Sequence, residues 1–234
     1  MNVGLNQYVR NARLKPALLA LAPAAWTVTA WSPEHALGWG GFWGLFVAVG
    51  GTMLLANLAR DRGKGKEKAL FESQGGRPTE RLLSHVHAPN KVTLAQRHAK
   101  LRRLVPDVHI PTEAEEAADH AAAQDIYAAC VGHLIARSRD DRLLFQENIS
   151  YGFRRNLWGL KPVGVLVSTA SAIMLGLRLV LEFRSEGAVS PLVVAFEISN
   201  LSMSAVWLFV VTPGWVTVPA CAYAERLMEA LDRM

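Results

Sequence analysis

Apolar positions in this chain gather into four long runs, paired as two hairpins with a long polar stretch between the pairs. Residues 16–31 and 36–59 form the first pair, interrupted at Ser32–His35. Residues 163–183 and 191–211 form the second, joined through residues 184–190. A helix needs about 20 residues to cross the hydrocarbon core of a bilayer. The pattern therefore predicts an all-α integral membrane protein: two transmembrane helical hairpins, four spans in all, flanking a helical cytoplasmic domain. The expected divisions are 1–59 for the N-terminal segment and first hairpin, 60–161 for a basic cytoplasmic domain with a juxtamembrane helix, 162–211 for the second hairpin, and 212–234 for an amphipathic tail.

The first run is short for a span, and Pro23 should bend it; Leu14 and a snorkelling Lys15 can lengthen it. Arg10, Arg13 and Lys15 ahead of an apolar stretch with Ala22-Pro23-Ala24 also fit a cleaved leader, which stays open as an alternative. The second run carries no charge and places Gly40, Gly44, Ala48, Thr52 and Ala56 at every fourth position. The third repeats the device with Gly164, Ser168, Ala172 and Gly176. Small side chains on one face let another helix approach closely. Trp26, Trp31, Trp39 and Trp43 flank the first break, as in an interfacial belt.

Charge fixes the expected orientation. Arg10, Arg13 and Lys15 precede the first run, Arg60 to Lys68 supply five cations after the second, and Arg154, Arg155 and Lys161 precede the third. The two opposite connections hold only Arg184. By the positive-inside bias both termini and residues 60–161 are expected to face the cytoplasm. The chain's whole net charge of +5 lies in that middle stretch, which holds 18 of the 25 Lys and Arg and 13 of the 20 Asp and Glu. A hydrophobic content of 51% with only 19% charged residues agrees with a membrane protein. Two distant cysteines, Cys130 and Cys221, give no disulfide framework.

Within the middle stretch, Leu94, His98, Leu101 and Val105 recur at helical spacing, with Arg97, Lys100, Arg102 and Arg103 on the remaining faces. These four form a candidate ligand-binding basic set. Gly75-Gly76-Arg77-Pro78-Thr79 reads as a turn. Thr112-x-x-Glu115 is a capping box, predicting one helix to about Arg139 with Ile126, Cys130, Leu134, Ala122, Ala129 and His133 on its buried side. The next helix should run from Asp140-Asp141 to Trp158-Gly159. Its Tyr151, Phe153, Arg154, Arg155 and Trp158 suit either a coupling helix at the interface or a plain juxtamembrane anchor. In the tail, Tyr223, Leu227 and Leu231 form one apolar edge.

Catalytic signatures are missing. Gly63-Lys64-Gly65-Lys66 lacks the Walker spacing, and His85, His87 and His98 lack a further ligand for a metal. Neither an enzyme nor a cofactor is expected. The intramembrane charges carry more weight. Arg178 near the outer end of the third run and Glu197 near the start of the fourth fall at similar depth in an antiparallel hairpin, with Glu182 and Asn200 one turn away. Such groups either neutralise one another as a staple or line a water-filled path between subunits.

Residues 147–162, Glu-Asn-Ile-Ser-Tyr-Gly-Phe-Arg-Arg-Asn-Leu-Trp-Gly-Leu-Lys-Pro, with Gly76-Arg77-Pro78-Thr79 upstream, resemble an uncharacterised family of small bacterial multi-span membrane proteins. The layout of two hairpins around a basic cytosolic domain is similar to membrane channel effectors of nucleotide-signalled anti-phage defence, including the Hailong type. That resemblance implies a homo-oligomeric ion channel gated by a nucleotide or oligonucleotide on the cytoplasmic domain, with a partner enzyme that makes the ligand. The alternative is a non-conducting membrane anchor or assembly subunit.

Overall fold

The computed structural model describes residues 7–32 and 39–234, and for residues 39–49 the backbone only. Every regular element among the described residues is helical. A π-helical turn, Val9–Leu14, leads into α1, Lys15–Trp31. Then follow α2 (Trp39–Glu72), α3 (Pro78–Arg81), α4 (Lys91–Leu104), α5 (Glu113–Ala118), α6 (His120–Arg137), α7 (Arg142–Glu186), α8 (Pro191–Ala205) and α9 (Pro213–Arg233). A second π segment, Val206–Val210, continues α8.

The chain forms two compact units. The first contains residues up to Lys66 and Gly152–Val216; the second contains Glu67–Tyr151 and Thr217–Met234. The tail from Thr217 thus groups with Glu67–Tyr151.

Among the described residues, two helices are long and apolar enough to cross a membrane: α7, and α8 with its π extension. Only 22% and 17% of their most apolar windows are buried, so most of that surface stands outside the fold. Leu166, Ile173, Leu192, Ile198, Leu201 and Phe209 are exposed there. At 17 residues, α1 is shorter than a full span, and Pro23 is accommodated inside it. The expected second span begins outside the described residues, as do the side chains of Gly40, Gly44 and Ala48 and of Trp39 and Trp43.

The expected break at Trp158-Gly159 is not there. α7 is one helix of 45 residues with Pro162 inside it. Gly159 marks a close helix crossing instead of a stop: a Cβ there would lie 2.6 Å from the Ala59 carbonyl oxygen and 2.7 Å from the Gly63 nitrogen. Gly152 similarly admits Tyr8, whose hydroxyl would stand 2.8 Å from an added Cβ. One apolar cluster joins Ala20, Ala59, Leu157, Leu160, Trp207 and Val211; another joins Ala30, Leu175 and Val193.

In the second unit, Leu94, His98, Leu101 and Val105 are all buried, as their spacing predicts. Asn90 caps α4 by accepting from the Val92 and Thr93 amides. The capping box at Thr112 and Glu115 is formed. The single helix expected beyond it is two, because Asp119 leaves the helix (φ −144°, ψ 89°) and caps α6 through the Ala122 amide. The buried face of α6 is Ala123, Tyr127, Cys130, Val131 and Leu134; Ala122, Ala129 and His133 are exposed. Restarting at His120 turns the face by about one residue. The α9 edge of Leu227, Met228 and Leu231 completes this core. The turn before α3 uses positive φ at Gly75 (80°) and Gly76 (110°), where a side chain would be strained.

Candidate functional site

Along α8 and its π extension, Glu197, Asn200, Ser204 and Trp207 recur at intervals of three, four and three, which keeps them within one narrow arc of the helix. Val193 lies on the same face and is buried. The face is turned to α7: an added Cβ on Gly176 would be 4.0 Å from Glu197 Oε1, and one on Gly164 would run into the Trp207 indole. On α7, Ser168 and Ser171 are buried at intermediate positions, and Ala172 is half-buried. The small-residue spacing of the third run therefore receives the fourth run of the same chain.

This polar row is not satisfied. Glu197 Oε2, both amide atoms of Asn200, Ser204 Oγ and Trp207 Nε1 are buried and find no hydrogen-bond partner among the described residues. Asn200 is 0% exposed and Trp207 1%. Each buried polar group left unmatched costs roughly 1–3 kcal/mol, so a row of them on one face is a marked departure from normal interior chemistry.

Arg178 does not staple Glu197. Its Nε lies 2.8 Å from Glu182 Oε1 on the same helix, and its guanidinium sits 5.6 Å from the centroid of the Trp31 ring. The other Glu182 oxygen accepts the Ser190 amide at 3.0 Å. Helical spacing explains the difference: a partner four residues along is always in reach. Among the described residues, Glu197 Oε2 has no partner.

At the other end of the unit, prolines govern the polar contacts. Proline has no N–H, so a helix carbonyl before it loses its partner. Pro162 deprives Trp158, whose oxygen instead accepts Lys66 Nζ at 3.0 Å. Pro219 deprives Trp215, whose oxygen accepts Arg154 Nη1 at 3.1 Å. In the π-helical turn ahead of Pro16, the Ala12 oxygen accepts Asn156 Nδ2 at 2.6 Å. Ahead of Pro213, Leu208 and Val211 both offer carbonyls to Lys161 Nζ at 3.0 Å. Lys66 and Arg154 also lie over the Trp158 and Trp215 rings, 5.1 and 4.8 Å from the centroids. Burial, then Arg62 and Lys161, lower the Lys66 pKa from its ordinary value. Of the expected coupling set, Arg154 and Trp158 belong to this collar, Phe153 packs against the apolar cluster, Arg155 is buried and Tyr151 is half-buried. Lys66, Asn156 and Lys161 escaped the sequence reading; the prolines were the available signal.

The expected ligand-binding set is divided. Arg97 holds the Asp232 carboxylate through Nε at 3.3 Å and Nη2 at 3.0 Å. Lys100 Nζ donates to the carbonyls of Leu231 and Asp232, closing the end of α9. Arg102 and Arg103 are exposed, and Arg103 borders an open depression of about 480 Å³ with Thr93, Gln96 and Lys100.

The histidines serve the interior of this unit. His98 Nε2 meets the Leu83 carbonyl oxygen at 2.8 Å, and the His85 ring stands 4.9 Å away. Nearby, buried Glu116 accepts from Ser84 Oγ (2.5 Å), the His85 amide (2.7 Å) and Tyr127 O–H (2.8 Å). Burial would raise its pKa, but these donors hold it below the usual glutamate value. Among the described residues no three potential ligands are grouped for a metal.

Comparison with protein-family models, with curated proteins and with solved structures returns no match.

Proposed function

We propose that the chain is a bacterial inner-membrane protein that conducts ions, with both termini and residues 60–161 in the cytoplasm. One observation carries the reading: the row of buried, unmatched polar groups from Glu197 to Trp207 on a helix that is otherwise apolar and outward-facing. Polar groups at membrane depth are expensive, and they persist where water or a solute meets them. Exposed apolar flanks on α7 and α8 fit lipid contact, since a soluble monomer seldom leaves so much contiguous apolar surface uncovered.

The fuller form of this proposal is a homo-oligomeric channel effector of anti-phage defence, gated by a nucleotide or oligonucleotide at Arg102, Arg103 and the residues beside them. The localised positive charge and the layout support it. The non-conducting anchor is favoured by a different observation: Arg97 and Lys100 already have partners in α9. Purified full-length chain in liposomes discriminates. Potassium or proton flux above that of protein-free vesicles supports conduction, and tight vesicles with and without added oligonucleotides would leave the anchor.

A further inference from the structure

The unmatched groups on α8 differ in kind, and that difference limits what can occupy the seam. Glu197 Oε2, Asn200 Oδ1 and Ser204 Oγ offer oxygen, whereas Asn200 Nδ2 and Trp207 Nε1 can only donate. A bare metal cation would meet the oxygens and leave both N–H donors facing a positive charge. An anion would meet the donors and confront the Glu197 carboxyl. Water both donates and accepts, so it can serve every group in the row, and buried waters ordinarily sit where two to four such partners converge.

Apolar clusters flank the row on either side. Ala30, Leu175 and Val193 pack together beyond Glu197, with Leu179 and Phe196 against them. Leu160, Val211, Ala20 and Ala59 surround Trp207 at the other end. Between these layers Ser168 and Ser171 of α7 are buried, and Ser168 Oγ donates to the Val165 carbonyl of its own helix at 3.3 Å. Glu197 is the single acid in the row; among the described residues no cation is paired with it, and Arg178 is held by Glu182.

We propose that the α7–α8 seam encloses a short file of water molecules seated on Asn200, Ser204 and Trp207, and that Glu197 exchanges a proton with that file. The step is reversible and balanced: the carboxyl O–H proton passes to the first water, and a proton returned along the file restores the acid. This rests on reading the hairpin as membrane-embedded and names the proton as the species that the conduction reading would carry.

Dicyclohexylcarbodiimide, an apolar reagent whose C=N bond takes up a protonated carboxyl as an O-acylisourea that rearranges to a stable N-acylurea, provides the test on the full chain in liposomes. Peptide mass spectrometry should find Glu197 modified and Glu182 unmodified, with modification falling about tenfold per pH unit above the midpoint of the group. Asn200→Leu, which keeps the branched shape but removes the seat for water, should move the midpoint of Glu197 modification up by about one pH unit or more, because the carboxylate loses what solvates it. Glu197→Gln, nearly isosteric, controls for the site of labelling and for folding. An unmodified Glu197 at every pH, or the same midpoint of modification in Asn200→Leu, overturns the proposal. Vesicles that leak ions although Glu197 resists the reagent would keep the conduction reading and remove this one. A modified, pH-dependent Glu197 in tight vesicles would do the reverse.

Discussion

Lys66 Nζ lies 3.0 Å from the carbonyl oxygen of Trp158, which is the oxygen that Pro162, four residues later, has no N–H to bond. A side chain from α2 thus completes a main-chain ladder in α7. Lys66→Met should cost about 1–3 kcal/mol, the range for a buried acceptor left without its donor. Pro162→Ala supplies the missing amide, so Lys66→Met in that background should cost well under half as much. Thermal unfolding of the four proteins in detergent gives the coupling energy; equal costs in both backgrounds would refute the relationship.

Glycines in the first unit should divide sharply by surroundings. At Gly159 a Cβ meets the backbone of Ala59 and Gly63, which cannot yield as a flexible side chain can. Gly159→Ala should therefore lose roughly 1–3 kcal/mol. Gly164→Ala, which drives a methyl into the Trp207 indole, should lose a similar amount. At Gly50 there is nothing within 4 Å, and Gly50→Ala should be neutral or gain up to about 1 kcal/mol of helix propensity. Melting temperatures measured side by side check the order.

Acid should weaken the second unit before its carboxylates titrate. Burial, the leading cause, lowers the His98 pKa from 6.5, with His85 and Arg102 adding to it and the Leu83 carbonyl and Glu116 opposing. Between the lowered value and 6.5 the unfolded chain binds more protons at this residue than the folded one. Stability therefore rises with pH across that window and is lost as pH falls below about 6.5, with a slope of up to ~1.4 kcal/mol per unit. Urea unfolding from pH 5 to 8 should show the slope in the natural chain and a shallower one in His98→Gln.

Asp232 holds Arg97, and the same end of α9 receives Lys100. These contacts are partly exposed, so Asp232→Asn should change stability by less than about 1 kcal/mol. If α4 binds phosphates, the same substitution should tighten oligonucleotide binding and steepen its salt dependence. Binding that is unchanged, or absent in both proteins, would detach the basic set from ligand recognition.

Much of the helical pattern was legible because periodicity reports burial directly. The α4 face, the Thr112 cap and the apolar edge of α9 follow from spacing and from one capping rule. Gly159 and Pro162 misled because local propensity reads them as a stop, whereas Ala59 and Gly63 pack closely on Gly159 and Lys66 serves the carbonyl that Pro162 leaves open, so the helix continues. Arg178 and Glu197 misled for a related reason: similar depth does not compete with a carboxylate one turn away on the same helix. The restart at Asp119 was hidden because the residues on either side of it are good helix formers. Glu197 and Asn200 were visible as charge and polarity in an apolar run, but their isolation was not, since it depends on which neighbours are already engaged.

The Ala12 carbonyl waits on Asn156, 144 residues later, and Trp158 answers to Lys66 across 92. During synthesis the N-terminal helices emerge long before the segment that finishes their bonding. Such distant closures delay assembly, because the chain must be brought together before the contacts reward it. The first unit should thus remain provisional until α7 has left the ribosome, and a nascent chain cut short of Asn156 would lack the partner that its opening turn requires.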